Sequence, residues 1–109
     1  MKLVINNKEI IETEVADTSF ARMKGLMFKK KISKGLWIVP CNSIHTFFMK
    51  CPIDVLFLDK KGKIIKMIPN MKPWRIGAIV WKAHSVIELP CGTIQYMNIQ
   101  LHDIVYFKK

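Results

Sequence analysis

The chain has 109 residues, half of them hydrophobic, which is enough for one folded domain and excludes a disordered chain. Its formal net charge of +10 attracts phosphates and acidic partners over long range. No apolar run approaches the roughly 18 residues of a membrane span, and the N-terminal segment lacks the apolar core of a signal peptide. We therefore expect one cytoplasmic domain covering residues 1–109, without a membrane span.

The beginning of the chain predicts a β-hairpin. Residues 2–6 and 9–15 are strand-like runs, and Asn6 and Asn7 lie at the junction between them. Asparagine tolerates the positive φ angles of a tight hairpin turn better than most residues do. We therefore expect two antiparallel strands joined at this pair.

The next segment predicts the clearest helix of the chain. Residues 17–19 (Asp, Thr, Ser) are N-cap candidates, and Phe20, Met23 and Met27 follow at helical spacing. We expect this apolar stripe to cover the end or face of a sheet. Gly25 is unfavourable inside a helix, so the helix should be short.

The remainder of the chain predicts a series of short strands separated by proline, glycine and lysine. The strand-like runs are residues 36–39, 44–49, 53–58, 63–68, 78–82, 85–89 and 104–107. Residues 70–79 are expected to be irregular, and residues 93–97 predict one helical turn. Many short strands and one solid helix predict a mostly β domain, either a barrel or a sandwich.

Several ordered motifs resemble a known family. Segments 22–27 (RMKGLM), 44–49 (IHTFFM) and 52–59 (PIDVLFLD) are followed by residues 73–75 (PWR) and 86–93 (VIELPCGT). In this order they resemble the prokaryotic family called domain of unknown function 192, over nearly the whole chain. The resemblance implies a compact β-rich barrel or jelly-roll-like domain with a helix near its start. It implies no established activity.

Two positions depart from that family's pattern. His102 precedes Asp103 where the family usually has glycine, and Cys91 stands where alanine is common. If the last turn needs a positive φ, histidine costs about 1 kcal/mol more there than glycine. We therefore do not expect His102 or Cys91 to be functional residues.

His45 and Asp54 are the first candidate pair. If residues 44–49 and 53–59 form a hairpin around residues 50–52, these side chains could lie near each other. In a catalytic interpretation, His45 is a general base and Asp54 fixes its tautomer. In a structural interpretation, Asp54 accepts backbone hydrogen bonds at the start of its strand.

Cys41 is a candidate nucleophile or metal ligand because His45 follows it closely. On a strand, however, a four-residue separation places two side chains ~13 Å apart, so only a bend at residues 42–43 would bring them together. The chain lacks a fourth zinc ligand at a standard spacing, and we expect no metal and no cofactor. We expect the cysteines to be small buried side chains rather than a disulfide framework.

Trp74 and Arg75 form a second candidate ligand-binding region, in an irregular segment flanked by proline. An exposed indole beside a guanidinium suits a stacked ring or an anionic group. Alternatively, Trp74 plugs the end of a barrel and Arg75 pairs with Glu88 or Asp54. Glu88 interrupts an apolar strand, and we otherwise expect it to face solvent.

Three function classes remain open. The first is a non-catalytic binding or accessory domain for a small or anionic ligand, with a pocket or groove near His45, Asp54, Trp74 and Arg75. The second is a hydrolase- or transferase-like enzyme in which His45 is the base, Asp54 orients it and Cys41 lies nearby. The third is nucleic-acid binding through the lysine-rich loops. The first is favoured because the sequence contains no complete catalytic set.

Overall fold

The computed structural model describes residues 1–77 and 79–109, and it consists of one mixed sheet of seven strands with two short helices. In chain order the elements are β1 (Lys2–Ile5), β2 (Lys8–Ala16), α1 (Ser19–Lys24), β3 (Gly35–Ile38), β4 (Ile53–Leu58), β5 (Ile64–Met71), β6 (Ser85–Pro90), α2 (Thr93–Tyr96) and β7 (Val105–Lys108). The strand order is β5-β4-β6-β3-β2-β1-β7. β2 and β3 run parallel, and the other neighbouring strands pair antiparallel.

The two edges of the sheet, β5 and β7, approach each other at one end. Lys63 and Ile104 form an isolated bridge there, and the Val105 amide donates to the Gly62 carbonyl at 2.8 Å. Across the described residues these edge strands do not pair along their length, so the sheet is curled but not closed. The prediction of a mostly β domain with a helix near its start is confirmed, whereas closure into a barrel is not observed.

The first hairpin forms as the sequence predicts. Asn6 and Asn7 have φ angles of 54° and 61°, and β1 and β2 pair antiparallel on either side of them. Two consecutive left-handed residues give the turn a twist that matches the flanking strands. The prediction of this turn is therefore confirmed in its detail.

Helix α1 is short and capped, but its apolar stripe does not pack on the sheet. The Thr18 hydroxyl accepts a hydrogen bond from the Ala21 amide at 3.1 Å. Phe20 and Met23 are 70% and 65% exposed, so the prediction that the stripe covers the sheet is wrong. The helix is attached instead through Leu26, two residues after its end, which is buried in the core.

Residues 44–49 do not form a strand, and the predicted hairpin between them and β4 is wrong. Only His45 bridges, to Ile76, and Phe48 has a φ of 62° within a turn. Strand β4 pairs instead with β5 and β6. The alternating pattern of residues 44–49 resembles a strand, but a left-handed residue ends any regular extension.

Two further strand boundaries differ from the prediction. Strand β5 continues past Pro69 to Met71, because a strand at the edge of the sheet tolerates proline. The predicted strand at 78–82 does not form over residues 79–82, and Ala78 lies outside the described residues. The chain turns there, with the Ala83 amide donating to the Val80 carbonyl at 2.8 Å.

The core lies on both faces of the central strands. All six residues of β4 are buried, and their side chains alternate between two apolar clusters. Leu56 and Leu58 belong to the first cluster, together with β1 and β7, and Val55 and Phe57 belong to the second. Neither α1 nor α2 has the length or apolar character to cross a membrane, and the described residues contain no other helix that could do so.

Candidate ligand-binding cavity

Glu88 lies near the centre of the molecule rather than at its surface. It sits on β6, paired with Leu36 of β3 on one side and Val55 of β4 on the other. Only 2% of the residue is exposed, so the expectation that Glu88 faces solvent is wrong. Alternation along β6 directs Glu88 to the same face as Val86, and that face is covered by the second apolar cluster.

The carboxyl group of Glu88 is poorly compensated. Its Oε1 is buried and has no hydrogen-bond partner among the described residues. Burial raises the pKa of Glu88 to about 8, and the backbone amide of Leu26 offsets this only in part. A carboxyl group in such surroundings is mostly protonated, and so uncharged, at neutral pH.

A cavity of about 260 Å³ opens beside Glu88, between α1 and the loop that follows β3. We call it the α1 cavity. Its polar lining is Arg22, Lys24, Cys41, Ser43, His45 and Glu88. Its apolar lining includes Met23, Leu26, Met27, Ile38, Pro40, Ile44 and Met49. A mainly apolar concavity with a few converging polar groups is the usual form of a small-molecule site.

The α1 cavity brings Cys41 and His45 to one place, because the chain between β3 and β4 is a loop and not a strand. The chain bends at residue 42, and the Cys41 thiol donates across this bend to the Ser43 carbonyl at 3.0 Å. Burial raises the pKa of this thiol, the hydrogen bond with the Ser43 backbone partly offsets that, and the smaller effects of Glu88 and Arg22 raise and lower it respectively. Cys41 is therefore a protonated thiol at neutral pH rather than a nucleophilic thiolate.

His45 lies at the exposed side of the cavity. Its Nδ1 accepts a hydrogen bond from the Phe47 amide at 3.2 Å, and its ring stacks on Phe47 with centroids 4.9 Å apart. Within residues 1–77 and 79–109 no three His, Cys, Asp or Glu side chains are grouped closely enough to hold a metal ion.

Asp54 does not pair with His45, because backbone amides occupy both of its oxygens. Oδ1 accepts from Asn70 at 2.8 Å, and Oδ2 accepts from Gly92 at 3.1 Å and Ile94 at 2.8 Å. Gly92 precedes α2 and has no side chain to cap it. Asp54 thus supplies the missing N-cap from another strand and ties α2 and the end of β5 to β4.

The Trp74–Arg75 segment is fixed by one buried threonine. The Thr46 hydroxyl donates to the Lys72 carbonyl at 2.6 Å and accepts from the Arg75 amide at 2.8 Å. The Thr46 carbonyl also accepts from the Trp74 amide at 2.8 Å. Sequence reasoning missed Thr46, since nothing in a single threonine indicates partners almost thirty residues away.

This anchoring presents a group of aromatic rings next to the α1 cavity. Trp74 is 56% exposed and its ring centroid lies 4.9 Å from that of Phe48 and 6.0 Å from that of Phe47. Arg75 donates to the Pro73 carbonyl at 3.4 Å and forms no ion pair within the described part of the chain. Trp74 therefore does not plug the interior, and Arg75 pairs with neither Glu88 nor Asp54.

Sequence reasoning also missed Glu88 and Arg22 as cavity residues. A usable signal was present for Glu88: residues 86–89 are apolar apart from it, and a continuous apolar strand is usually buried on both faces. No comparable signal marks Arg22, whose place at the cavity depends on how α1 docks.

The fold and the cavity define a small domain with one mixed sheet, in which the buried carboxyl group of Glu88 lies next to the end of the first helix. The chain matches the model of the DUF192 family, described as "Uncharacterized ACR", over residues 1–107, and it belongs to this family. The resemblance noted from the sequence is confirmed.

Individual relatives agree with this assignment. A UPF0127 protein of Thermococcus sibiricus is 36% identical over 96 residues, which are 83% of this chain and 62% of that protein. A UPF0127 protein of Pyrococcus horikoshii is 40% identical over 97 residues, 84% of each chain. The chain therefore spans less than two thirds of the first relative's length and most of the second's.

A crystal structure from Novosphingobium aromaticivorans, of a protein of unknown function, superposes with a TM-score of 0.85. It covers 97% of this chain and 84% of that one, at 19% identity. At this identity the likeness establishes the fold.

Proposed function

We propose that this domain is a non-catalytic module that binds a small, largely apolar ligand carrying one anionic group in the α1 cavity. The observation that carries the proposal is the charge of the lining. Arg22 and Lys24 line the cavity, and the one carboxyl group there, Glu88, is kept mostly uncharged by burial. The local charge therefore favours an anion, as does the net charge of +10.

The guanidinium group of Arg22 has further N–H donors that a ligand could use. One guanidinium nitrogen, Nη1, donates to the Asp17 carbonyl at 3.0 Å, which orients the side chain. A guanidinium has five N–H donors in a planar fork that matches a carboxylate or phosphate. The ligand's apolar part would lie against methionines such as Met23 and Met49, which adapt to varied shapes.

The size of the cavity limits the ligand. Its volume of about 260 Å³ is below the ~300–1,000 Å³ of sites that take drug-sized molecules. We therefore infer a ligand smaller than those molecules, of the size of a short aliphatic or a single-ring carboxylate.

Binding without catalysis is favoured by the state of the candidate catalytic groups. Asp54 uses its oxygens on three backbone amides, so it does not orient His45 as a base. The raised pKa of Cys41 makes it a weak nucleophile. The enzyme alternative would therefore depend on His45 alone.

The proposal includes a cytoplasmic location and a barrel-like sheet. Cys41, Cys51 and Cys91 are all free thiols, which suits a reducing compartment. The curled sheet, whose edges meet at the Lys63–Ile104 bridge, supports a barrel-like description.

Binding can be tested with a panel of short aliphatic and single-ring carboxylates, each paired with the corresponding primary amide. We expect at least one carboxylate, but not its amide, to raise the melting temperature and to give a binding isotherm by calorimetry. Arg22→Gln should abolish this effect.

The control is Arg75→Gln. Arg75 is the other arginine of the chain; it follows Trp74, donates to the carbonyl of Pro73 in its own loop, and does not line the α1 cavity. This variant should bind like the parent. If no carboxylate stabilises the parent, or if both arginine variants lose binding equally, the proposal is wrong.

A further inference from the structure

A second surface, distinct from the α1 cavity, places an exposed tryptophan among lysines. Two turns lie side by side there, residues 59–63 between β4 and β5 and residues 80–83 before β6. They border a groove of about 690 Å³ that we call the Trp81 groove. Its lining includes Lys60, Lys61, Lys63, Trp81, Lys82 and His84.

The first turn is held by its own hydrogen bonds. Asp59 Oδ1 accepts from the amides of Lys61 and Lys63, both at 2.9 Å. Gly62 has a φ of 84°, and a Cβ added to it would stand 2.8 Å from the Val105 carbonyl oxygen. The backbone that carries these lysines is therefore fixed before any partner binds.

The second turn is held by backbone hydrogen bonds and is joined to the end of β4. The Ala83 amide donates to the Val80 carbonyl at 2.8 Å, and the His84 amide donates to Leu58, the last residue of β4, at 2.7 Å. Trp81 stands at the tip of this turn with 80% of its surface exposed. A large apolar ring held in solvent on a rigid turn is available as a stacking surface.

The charge of the Trp81 groove is strongly positive. Four lysines line it, and the ion pairs within residues 1–77 and 79–109 involve none of them. Asp59 is the one acidic residue in the lining, and its Oδ1 is committed to the turn. The groove thus combines a net positive charge, four lysines against one carboxylate, with one exposed aromatic face.

The other lysine-rich loop lacks this combination. The groove that contains Lys29, Lys31 and Lys34 is also lined by Glu14 and by no aromatic residue. The two grooves lie at opposite ends of strand β6. The lysine loop leads into the start of β3, which pairs near Leu89, whereas the Trp81 groove adjoins Ser85. The two lysine loops are therefore separable by mutation.

We propose that the Trp81 groove binds single-stranded nucleic acid, with one base stacked on Trp81 and phosphates contacted by Lys60, Lys61 and Lys82. Single strands fit because an exposed ring can stack only with a base that is itself unstacked. Lysines are point charges that contact phosphates without reading base edges, so we expect little sequence preference.

Binding is measured by fluorescence anisotropy of labelled 12-residue oligonucleotides at several salt concentrations. Trp81→Ala should weaken binding by about 5- to 150-fold, the range given by removal of one stacked base. The triple variant Lys60→Gln, Lys61→Gln, Lys82→Gln should reduce the slope of log K against log salt by about 2, from three phosphate contacts on a single strand. Trp81→Phe should retain most of the affinity.

The charge-matched control replaces Lys29, Lys30 and Lys31 with glutamine, and it should keep both the affinity and the Trp81 dependence. Trp81 is exposed, so its variants should keep the parent's melting temperature. The proposal is overturned if Trp81→Ala binds oligonucleotides as tightly as the parent, or if the control loses as much affinity as the groove variant. It is equally overturned if heparin shows the same Trp81 dependence, because heparin has no bases to stack.

Discussion

Gly25 lies directly against the carboxyl group of Glu88: a Cβ added to Gly25 would stand 3.1 Å from Glu88 Oε1. This contact joins the end of α1 to strand β6 of the sheet. It also covers the buried oxygen that has no hydrogen-bond partner among the described residues. The position of α1, and with it the shape of the α1 cavity, depends on this pair.

The first prediction concerns Gly25→Ala. Its φ of 51° and ψ of −130° are strained for any other residue, and the new methyl group would press on Glu88. We expect a loss of about 2–4 kcal/mol in the free energy of unfolding, measured by urea denaturation. Gly92→Ala is the control, since Gly92 also has a positive φ but a Cβ there meets nothing within 4 Å. It should lose only about 1 kcal/mol. Equal losses would show that the Gly25–Glu88 contact is unimportant.

The second prediction concerns the pH dependence of stability. The folded pKa of Glu88, about 8, lies above its ordinary value of 4.5, so the folded state holds a proton that the unfolded state releases. Stability should therefore fall as pH rises from about 5 to 8, by at most ~1.4 kcal/mol per pH unit.

Glu88→Gln should remove this slope, because glutamine keeps the shape and does not titrate. The lowered pKa values of Glu9, Glu12 and Asp59 act in the opposite direction and at lower pH, as those groups protonate. A parent and Glu88→Gln protein with the same dependence between pH 5 and 8 would contradict the assignment.

The third prediction distinguishes a structural from a catalytic Asp54. Asp54→Ala leaves the amides of Asn70, Gly92 and Ile94 without their acceptor, and we expect a loss of about 2–4 kcal/mol. Hydrogen exchange of the Ile94 amide should also become much faster, since α2 loses its cap. Asp17→Ala, at an exposed position, should change stability by less than about 0.5 kcal/mol. A stable Asp54→Ala protein with a protected Ile94 amide would refute this role.

The fourth prediction concerns thiol reactivity. Cys91 is exposed and Cys41 is partly buried; burial is the main cause that raises the pKa of both thiols, so it is their accessibility that differs. Iodoacetamide at pH 7.5 should therefore modify Cys91 well before Cys41, as followed by peptide mass spectrometry. In Cys91→Ser protein the slow Cys41 reaction should persist, and a carboxylate that binds the α1 cavity should slow it further. Faster labelling of Cys41 than of Cys91 would indicate an activated thiolate.

The exposure of Cys91 also corrects an expectation, since all three cysteines were expected to be buried. Cys41 and Cys51 are half-buried, and Cys91 is at the surface, where its thiol donates to the Asn70 side chain at 3.2 Å. A cysteine is small and apolar enough to suit either environment, so residue type alone does not decide its position.

The features that could be predicted from the sequence are local ones. The Asn6–Asn7 turn and the Thr18 cap form because a few adjacent residues decide the backbone conformation. His102 has a φ of 74°, so the last turn does adopt the positive φ that the sequence analysis considered for this position, and that glycine adopts more easily than histidine.

The features that could not be predicted depend on distant partners. The alternation of residues 44–49 fits a strand, but these residues bond to the loop at 72–77 and not to a sheet. The apolar neighbours of Glu88 indicate that its strand is buried, but they do not indicate that α1 and the loop after β3 form a cavity over it. The candidate site was therefore only partly predictable: His45 and Cys41 line the α1 cavity, whereas Glu88 and Arg22 emerge from the packing.

The pairing of β1 with β7 has a consequence for the rate of folding. Lys2 lies opposite Lys108, so strands from the two ends of the sequence are hydrogen-bonded neighbours. Such pairing closes a loop that contains all the elements from β2 to α2, and its entropy must be lost before the contact returns any energy. We expect the sheet to be completed slowly, with β1 exposed as an unpaired edge until β7 arrives. A nascent chain is then open to pairing with other strands during that interval.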